Sequence, residues 1–193
     1  MERGLDHIVI GCEDLDSGTA WLTDRLGIAP DPGGQHAMMG THNRLLSLGP
    51  GEYLELIAID PDAPEPGRPR WFGLDGFSGP PRMIAWVARD GGAGHAPEGT
   101  EWARMTRGQL AWDITLPTSA AMPGDGATPM LIRWQDGGHP SDRLPDRGLR
   151  LGSLQISHPD ATPAITDPRI RISAAPPALS AQIITPDERE VTL

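Results

Sequence analysis

Lysine is absent from this chain, and cysteine, tyrosine and phenylalanine are scarce. Its 193 residues carry 16 basic side chains, all arginine, against 26 acidic ones, for a formal charge of −10. Without lysine there is no Schiff-base amine, no P-loop lysine and no attachment point for pyridoxal phosphate. The acidic balance argues against nonspecific nucleic-acid binding and against anionic membrane surfaces, since both need a cationic face. The single cysteine, Cys12, excludes an intramolecular disulfide. It stands beside Glu13 and Asp14, whose charges oppose thiolate formation, so it reads as an inert packing residue. No apolar run approaches the ~20 residues that span a bilayer. The N-terminus lacks the charged start and apolar core of a signal peptide, so a cytoplasmic location is expected. The G-x-S-x-G, C-x-x-C, H-E-x-x-H and G-x-G-x-x-G patterns are all missing, which weakens serine-hydrolase, zinc-protease and dinucleotide readings.

Turn residues are abundant, with 24 Gly and 21 Pro beside 38% hydrophobic residues. That composition favours many short strands and turns over long helices. The length suits one domain, or pseudo-repeats sharing a core.

The segment from Gly4 to Asp60 has the clearest local signals. Residues 5 to 11 form a β-branched run, and Asp14 or Asp16 can supply an N-cap oxygen for a helix carrying Leu15, Leu22 and Leu26 on one face. Gly27 is a C-terminal stop. Three further runs follow, Gln35 to Met39, His42 to Leu48 and Tyr53 to Ile59. They are separated by Gly40-Thr41 and by Gly49-Pro50-Gly51, short enough to enforce antiparallel hairpins. Strict alternation puts Tyr53, Glu55, Ile57 and Ile59 on one face and Leu54, Leu56 and Ala58 on the other. Glu55 thus sits in a strand apolar on both faces, where a carboxylate needs a cation, a donor or cavity water. His7, flanked by Leu5 and Val9 on its own face, poses the same question more mildly.

The stretches LDHIVIGCEDL, GGQHAMMGTHNRLLSLG and YLELIA resemble the first module of a glyoxalase-like domain in the vicinal-oxygen-chelate superfamily. That superfamily includes glyoxalase I, extradiol dioxygenases and bleomycin-resistance proteins. HPSDRLP and the closing ITPDEREVTL resemble the same subgroup. The resemblance implies an α+β fold in which βαβββ modules form curved mixed sheets around a cleft, with few helices. On that basis residues 1–60 form the first module and 61–82 a Pro-rich linker, in which WFGLDGF accommodates a helical turn. Residues 83–193 hold degenerate second and third strand clusters, packed with the first as one unit. The second cluster runs through Met83 to Arg89, Thr100 to Met105, Gln109 to Leu116 and Met130 to Trp134. The third runs through Leu149 to Ser157, Arg169 to Ser173, Ser180 to Thr185 and Glu190 to Leu193. Neither has a convincing helix. Which two modules share the main sheet stays open.

The resemblance also implies a divalent metal held by His, Gln or Glu on the first and last strands of two modules, polarising two vicinal oxygens of a substrate. His7 and Glu55 match those positions. The later modules do not: Arg133 stands about where a second Glu is expected. A metal reading therefore draws on His7, Glu55 and His36, a mixed set suited to Zn, Ni, Mn or Fe. The alternative is a metal-free cleft in which Glu55 or His7 handles a proton. His42, Arg133, Trp134 and His139 are candidate ligand contacts, Arg133 as a partner for a carboxylate. With so few other aromatics, the six tryptophans read mainly as core. The expected partner is a small, oxygen-rich organic molecule. The activity is a lyase, isomerase or dioxygenase reaction, or sequestration without chemistry. A homodimer is implied by analogy.

Overall fold

The computed structural model describes residues 4–92, 94–135 and 138–193. The first module contains β1 (Leu5–Gly11), α1 (Leu15–Leu26), β2 (Asp31–His36), β3 (Thr41–Ser47) and β4 (Tyr53–Ile59). The second contains β5 (Arg82–Arg89), β6 (Thr100–Arg107), β7 (Leu110–Pro117) and β8 (Met130–Trp134). The third contains β9 (Arg150–Ser157), β10 (Ile170–Ser173), β11 (Ala178–Ile184) and β12 (Glu190–Thr192). The α+β expectation of curved mixed sheets holds.

The first two modules share an eight-stranded sheet in the order β2-β3-β4-β1-β5-β8-β7-β6. β1 runs parallel to β4, β5 parallel to β8, and β1 and β5 join antiparallel at the centre. The order is therefore symmetric about the β1–β5 seam, and it settles which modules pair. The sheet curls until its edge strands β2 and β6 touch. A concave inner face results, on which Val9, Ile57, Ala85, Val87, Trp112 and Ile132 are buried.

α1 begins where the Asp14 carboxylate accepts the Ser17 N–H at 2.8 Å, satisfying one orphan donor of the first turn. It ends at Gly27, whose left-handed φ of 73° lets its N–H return to the Thr23 carbonyl. Leu15, Gly18, Leu22 and Leu26 fall on one face and pack on the convex side of the first module. Burial, with help from Asp14, pushes the Cys12 thiol beside this helix up to about 12, consistent with an inert packing residue.

The second module has no helix between β5 and β6 among the described residues. Its convex face is instead covered by the third cluster, a sheet of order β10-β9-β11-β12. Leu151, Leu154, Ile156, Ala181 and Ile183 from that sheet join one core with Trp86, Ile8 and the α1 leucines. A sheet has taken the place of a helix because the same apolar face has to be removed from water by something.

Two local expectations change. β2 spans Asp31–His36 rather than Gln35 to Met39, and Met39 turns into the inner core. Gly33 and Gly34 do not end the strand. Gly33 is needed inside it, since a Cβ there would lie 2.1 Å from Asn43 Oδ1 and 2.5 Å from the Asn43 carbonyl oxygen, whereas a Cβ at Gly34 would lie 2.8 Å from Arg107 Cδ and meet only that flexible side chain. The stretch 61–82 also does more than link. Its 3-10 turn Trp71–Gly76 folds back onto the concave face and buries Trp71, Phe72 and Leu74 there. Phe72 adopts a left-handed φ of 58°, a strained backbone of the kind found at functional sites.

Because Leu154 is fully buried between the two sheets, Leu154→Ala is expected to cost about 2–5 kcal/mol in urea unfolding. A loss below about 1 kcal/mol, the range of surface substitutions, would show that the third sheet is not part of the cooperative core.

Candidate functional site

A β-bulge sets up the site. Between Leu5 and His7 the register of β1 against β5 slips by one residue, Leu5 facing Ala88 and His7 facing Val87. A bulge breaks the two-residue alternation, so consecutive side chains can reach the same region. Leu5 joins Ile8 and Ile10 in the outer core. Asp6 and His7 instead meet each other, Oδ1 to Nδ1, at 2.8 Å.

Asp6 is fully buried and surrounded by donors. Besides His7, the Trp134 Nε1–H reaches its Oδ2 at 3.0 Å, His139 Nε2 at 3.2 Å, and the Arg89 guanidinium at 3.3 Å. Burial alone would push this carboxyl up, but the hydrogen bonds from His139 and His7 prevail and hold it well below the usual carboxylate range. His139 accepts the Ser141 N–H at Nδ1, so its proton sits on Nε2 and points at Asp6.

With its Nδ1–H given to Asp6, His7 presents an Nε2 lone pair to the cavity, 3.6 Å from Glu55 Oε2. Tyr53 stacks on the His7 ring with centroids 4.4 Å apart. Burial, reinforced by the Asp6 and Glu55 charges, pushes the Tyr53 phenol well above its ordinary value. The other Glu55 oxygen accepts from Asn43 Nδ2 at 2.5 Å. Asn43 Oδ1 in turn accepts from Arg107 Nη1 at 2.9 Å and from the Gly34 N–H.

His36 lies against this network as a neutral ring. Burial, and then the Arg107 charge, hold its pKa well below 6.5. Its Nε2 accepts from Arg107 Nη1 at 3.1 Å, and its Nδ1–H goes to Thr41 Oγ1 at 3.1 Å. Trp71 Nε1–H donates to the same hydroxyl. These groups and Trp134 enclose a cavity of about 20 Å³, room for a water rather than an organic ligand. The Trp71–Phe72 turn fills the rest of the concavity. Outside, across Arg107, lies a groove of about 460 Å³ between β2, the β6–β7 turn and the Pro140–Pro145 loop.

The structure thus brings together His7, Glu55, His36 and Trp134 at the cavity, with His139 one contact behind on Asp6. It does not bring His42 or Arg133 there. His42 alternates with Asn43 on β3 and does not line the cavity. Arg133 pairs with Asp90 at 2.8 Å and lies over the Trp102 ring. The cavity-facing residue of β8 is its neighbour Ile132. Asp6, Asn43 and Arg107 were not singled out from the sequence. An Asp-His pair at a strand start was the only available signal, and alternation argues against reading it as a pair.

The donor set does not fit a resident divalent ion. His7 and Glu55 supply two ligands, whereas catalytic zinc sites use three from the protein. Among the described residues no group of three or more His, Cys, Asp or Glu side chains could hold a metal. His36, the expected third ligand, has its Nε2 lone pair facing a guanidinium. The second module contributes Ile132 and Trp134, neither a usual metal ligand.

Two four-stranded modules, the first with a helix after its opening strand, share one curled sheet around a polar cleft in the manner of the vicinal-oxygen-chelate class of fold. Within that superfamily the chain belongs to the glyoxalase-like domain family, whose model matches residues 5–167. Among solved structures, a hypothetical protein from Staphylococcus aureus aligns over 98% of this chain and 85% of its own, at 11% identity and a TM-score of 0.55. A methylmalonyl-CoA epimerase from Mycobacterium tuberculosis aligns over 68% of this chain and 86% of its own, at 18% identity and a TM-score of 0.42. One from Streptomyces coelicolor aligns over 72% and 98%, at 16% identity and a TM-score of 0.44. No curated protein matches the chain. No helix is long and apolar enough to cross a membrane among the described residues.

Since the folded state holds Asp6 ionised, the unfolded chain binds more protons below its ordinary pKa of about 4. The stability Asp6 contributes is therefore complete above about pH 4 and is lost as pH falls. Asp6→Asn is expected to cost about 3 kcal/mol or more near pH 7 and to flatten the acid limb of stability, read by urea unfolding at about pH 7 and pH 3. An unchanged acid limb would mean that Asp6 is not the buried anion. His36 is expected to remain a neutral Nδ1–H tautomer in nitrogen-15 NMR well below its ordinary value of about 6.5. Protonation near that value would contradict the Arg107 contact.

Proposed function

We propose that this glyoxalase-like protein takes a small, oxygen-bearing organic molecule into the cleft and moves a proton on it with His7 and Glu55. The observation that carries the reading is the buried Asp6–His7–Glu55 line, in which a carboxylate fixes one histidine tautomer and turns the free lone pair toward a second carboxylate.

An Nε2 lone pair facing a carboxylate oxygen at 3.6 Å is too far for a direct hydrogen bond and makes an electron-rich seat for a proton between them. In a substrate with a C–H beside a carbonyl, the proton passes to His7 Nε2 and the electron pair moves onto the carbonyl oxygen. The imidazolium so formed keeps its Nδ1–H···Asp6 bond and faces Glu55, so both carboxylates stabilise it. Asn43 holds Glu55 in place. Returning the proton to the same or the neighbouring carbon is an isomerase reaction, and expelling a group from the carbanion is a lyase reaction. Dioxygenase chemistry has less support, since it needs a second histidine ligand beside His7 and Glu55. The cavity has room only for a water, so the Trp71–Phe72 turn has to shift when substrate enters, and the strain at Phe72 agrees with that. A homodimer formed along the third sheet, whose edge strands β10 and β12 each pair on one side only, belongs to the same reading.

The test is loss of C–H signal in D2O, followed by proton NMR, for a panel of 2-oxo acids, 2-hydroxyketones and their esters, with the protein freed of metal by a chelator. At least one compound is expected to exchange, with the rate falling about 100-fold or more in His7→Gln. The reading fails if exchange requires a near-stoichiometric metal, or if a compound binds without exchanging, which would favour sequestration.

A further inference from the structure

Arg107 is the one charged residue common to the inner cavity and the outer groove. It reaches that position because the sheet curls: β6 meets β2, and the Arg107 side chain crosses β2 where Gly34 leaves it space. Every side-chain hydrogen bond it makes among the described residues uses Nη1, to Asn43 Oδ1 and His36 Nε2. Neither partner is a carboxylate, and no ion pair involves Arg107 among the described residues. Most arginines of this acidic chain pair with Asp or Glu. Nε and Nη2 of Arg107 make no hydrogen bond there and are not sealed from solvent, so the two-donor edge of the guanidinium is available.

We propose that Arg107 selects an organic carboxylate, receiving it on the Nε–Nη2 edge from the outer groove while its Nη1 stays on Asn43. The inference rests on the proposed proton-transfer site and names its substrate class. Two parallel N–H donors match the two oxygens of a carboxylate, a geometry that an amide or ester cannot satisfy equally. The groove is wide enough to admit a small acid to that edge, from which its remaining carbons extend past Arg107 into the cleft where His7 and Glu55 lie. The charged lining of the groove is Arg107, Arg143 and Asp31, and Asp31 is already held by the Arg147 guanidinium. Arg107 thus presents a positive charge with no carboxylate partner among the described residues, at a groove on a protein of charge −10. Arg107 also holds Asn43, and Asn43 holds Glu55, so a carboxylate seated there sits three hydrogen bonds from the proton-handling pair.

The experiment is titration of the full chain with pyruvate, lactate and phenylpyruvate, each beside its neutral amide, followed by calorimetry and by the arginine Nε–H signals in NMR. At least one acid is expected to bind at least tenfold more tightly than its amide and to shift the Arg107 Nε–H. That preference should vanish in Arg107→Met and weaken in Arg107→Lys, which keeps the charge but not the fork. Gly34→Ala, which forces Arg107 aside without changing any charge, should also lose it, so the outcome stands even if Arg107→Met fails to fold. Equal affinity for acid and amide, a preference that survives in folded Arg107→Met, or no acid binding at all would overturn the proposal. In each of those cases exchange on a neutral carbonyl compound would leave the His7–Glu55 reading intact. Carboxylate binding on Arg107 without any exchange would overturn that reading alone.

Discussion

A single negative charge, buried at Asp6, organises this molecule. An ionised carboxylate away from water is tolerated only when donors replace its hydration. Here they come from four places in the chain: His7 beside it, Arg89 on β5, Trp134 on β8 and His139 in the loop beyond. Satisfying one side chain therefore joins both modules at their central seam and pins the loop that flanks the outer groove. It also fixes the His7 tautomer, so the same interaction stabilises the fold and orients the imidazole in the cavity. A polar network of this kind is costly when half made and strongly specifying when complete.

The rest of the cleft follows from how the curled sheet is finished. Its convex face is covered by α1 over the first module and by a four-stranded sheet over the second. Its concave face is covered by the returning Trp71–Gly76 turn. What remains open on the inside is small and polar, and what remains outside is a groove, with Arg107 between. Asymmetry between the modules is also chemical. The first supplies His7, Asn43 and Glu55, while the second supplies mostly apolar walls and one arginine. That division is a poor donor set for a metal ion and agrees with the proposed proton transfer.

Parts of the site were legible in the sequence for one reason: a titratable residue in a strand otherwise apolar on both faces has to be explained. Glu55 in YLELIAI and His7 in LDHIVI stand out on that ground, and family resemblance places them on the right strands. Asp6 fails the same test, because regular alternation assigns it to the opposite face from His7, and only the bulge against β5 reverses that. Arg133 and Ile132 show the converse error. A displacement of one residue along β8 exchanges a cleft wall for an outward ion pair with Asp90. His42 missed the cavity through the same parity, being neighbour to Asn43.

Composition and local pattern were enough to determine a loop-rich α+β chain, the strand–helix–hairpin order of the first module, the Gly27 end of α1 with its start at Asp14 or Asp16, and two of the side chains in the cleft. These depend on interactions within a few residues, where turn chemistry, capping and alternation operate. Tertiary structure alone decided that the first two modules share a sheet, that the third replaces a helix, and that Arg107 meets His36 and Asn43 across 71 and 64 residues of chain. Those contacts exist only because the sheet curls until β2 touches β6, and curl is a collective property of eight paired strands that no short stretch of sequence contains.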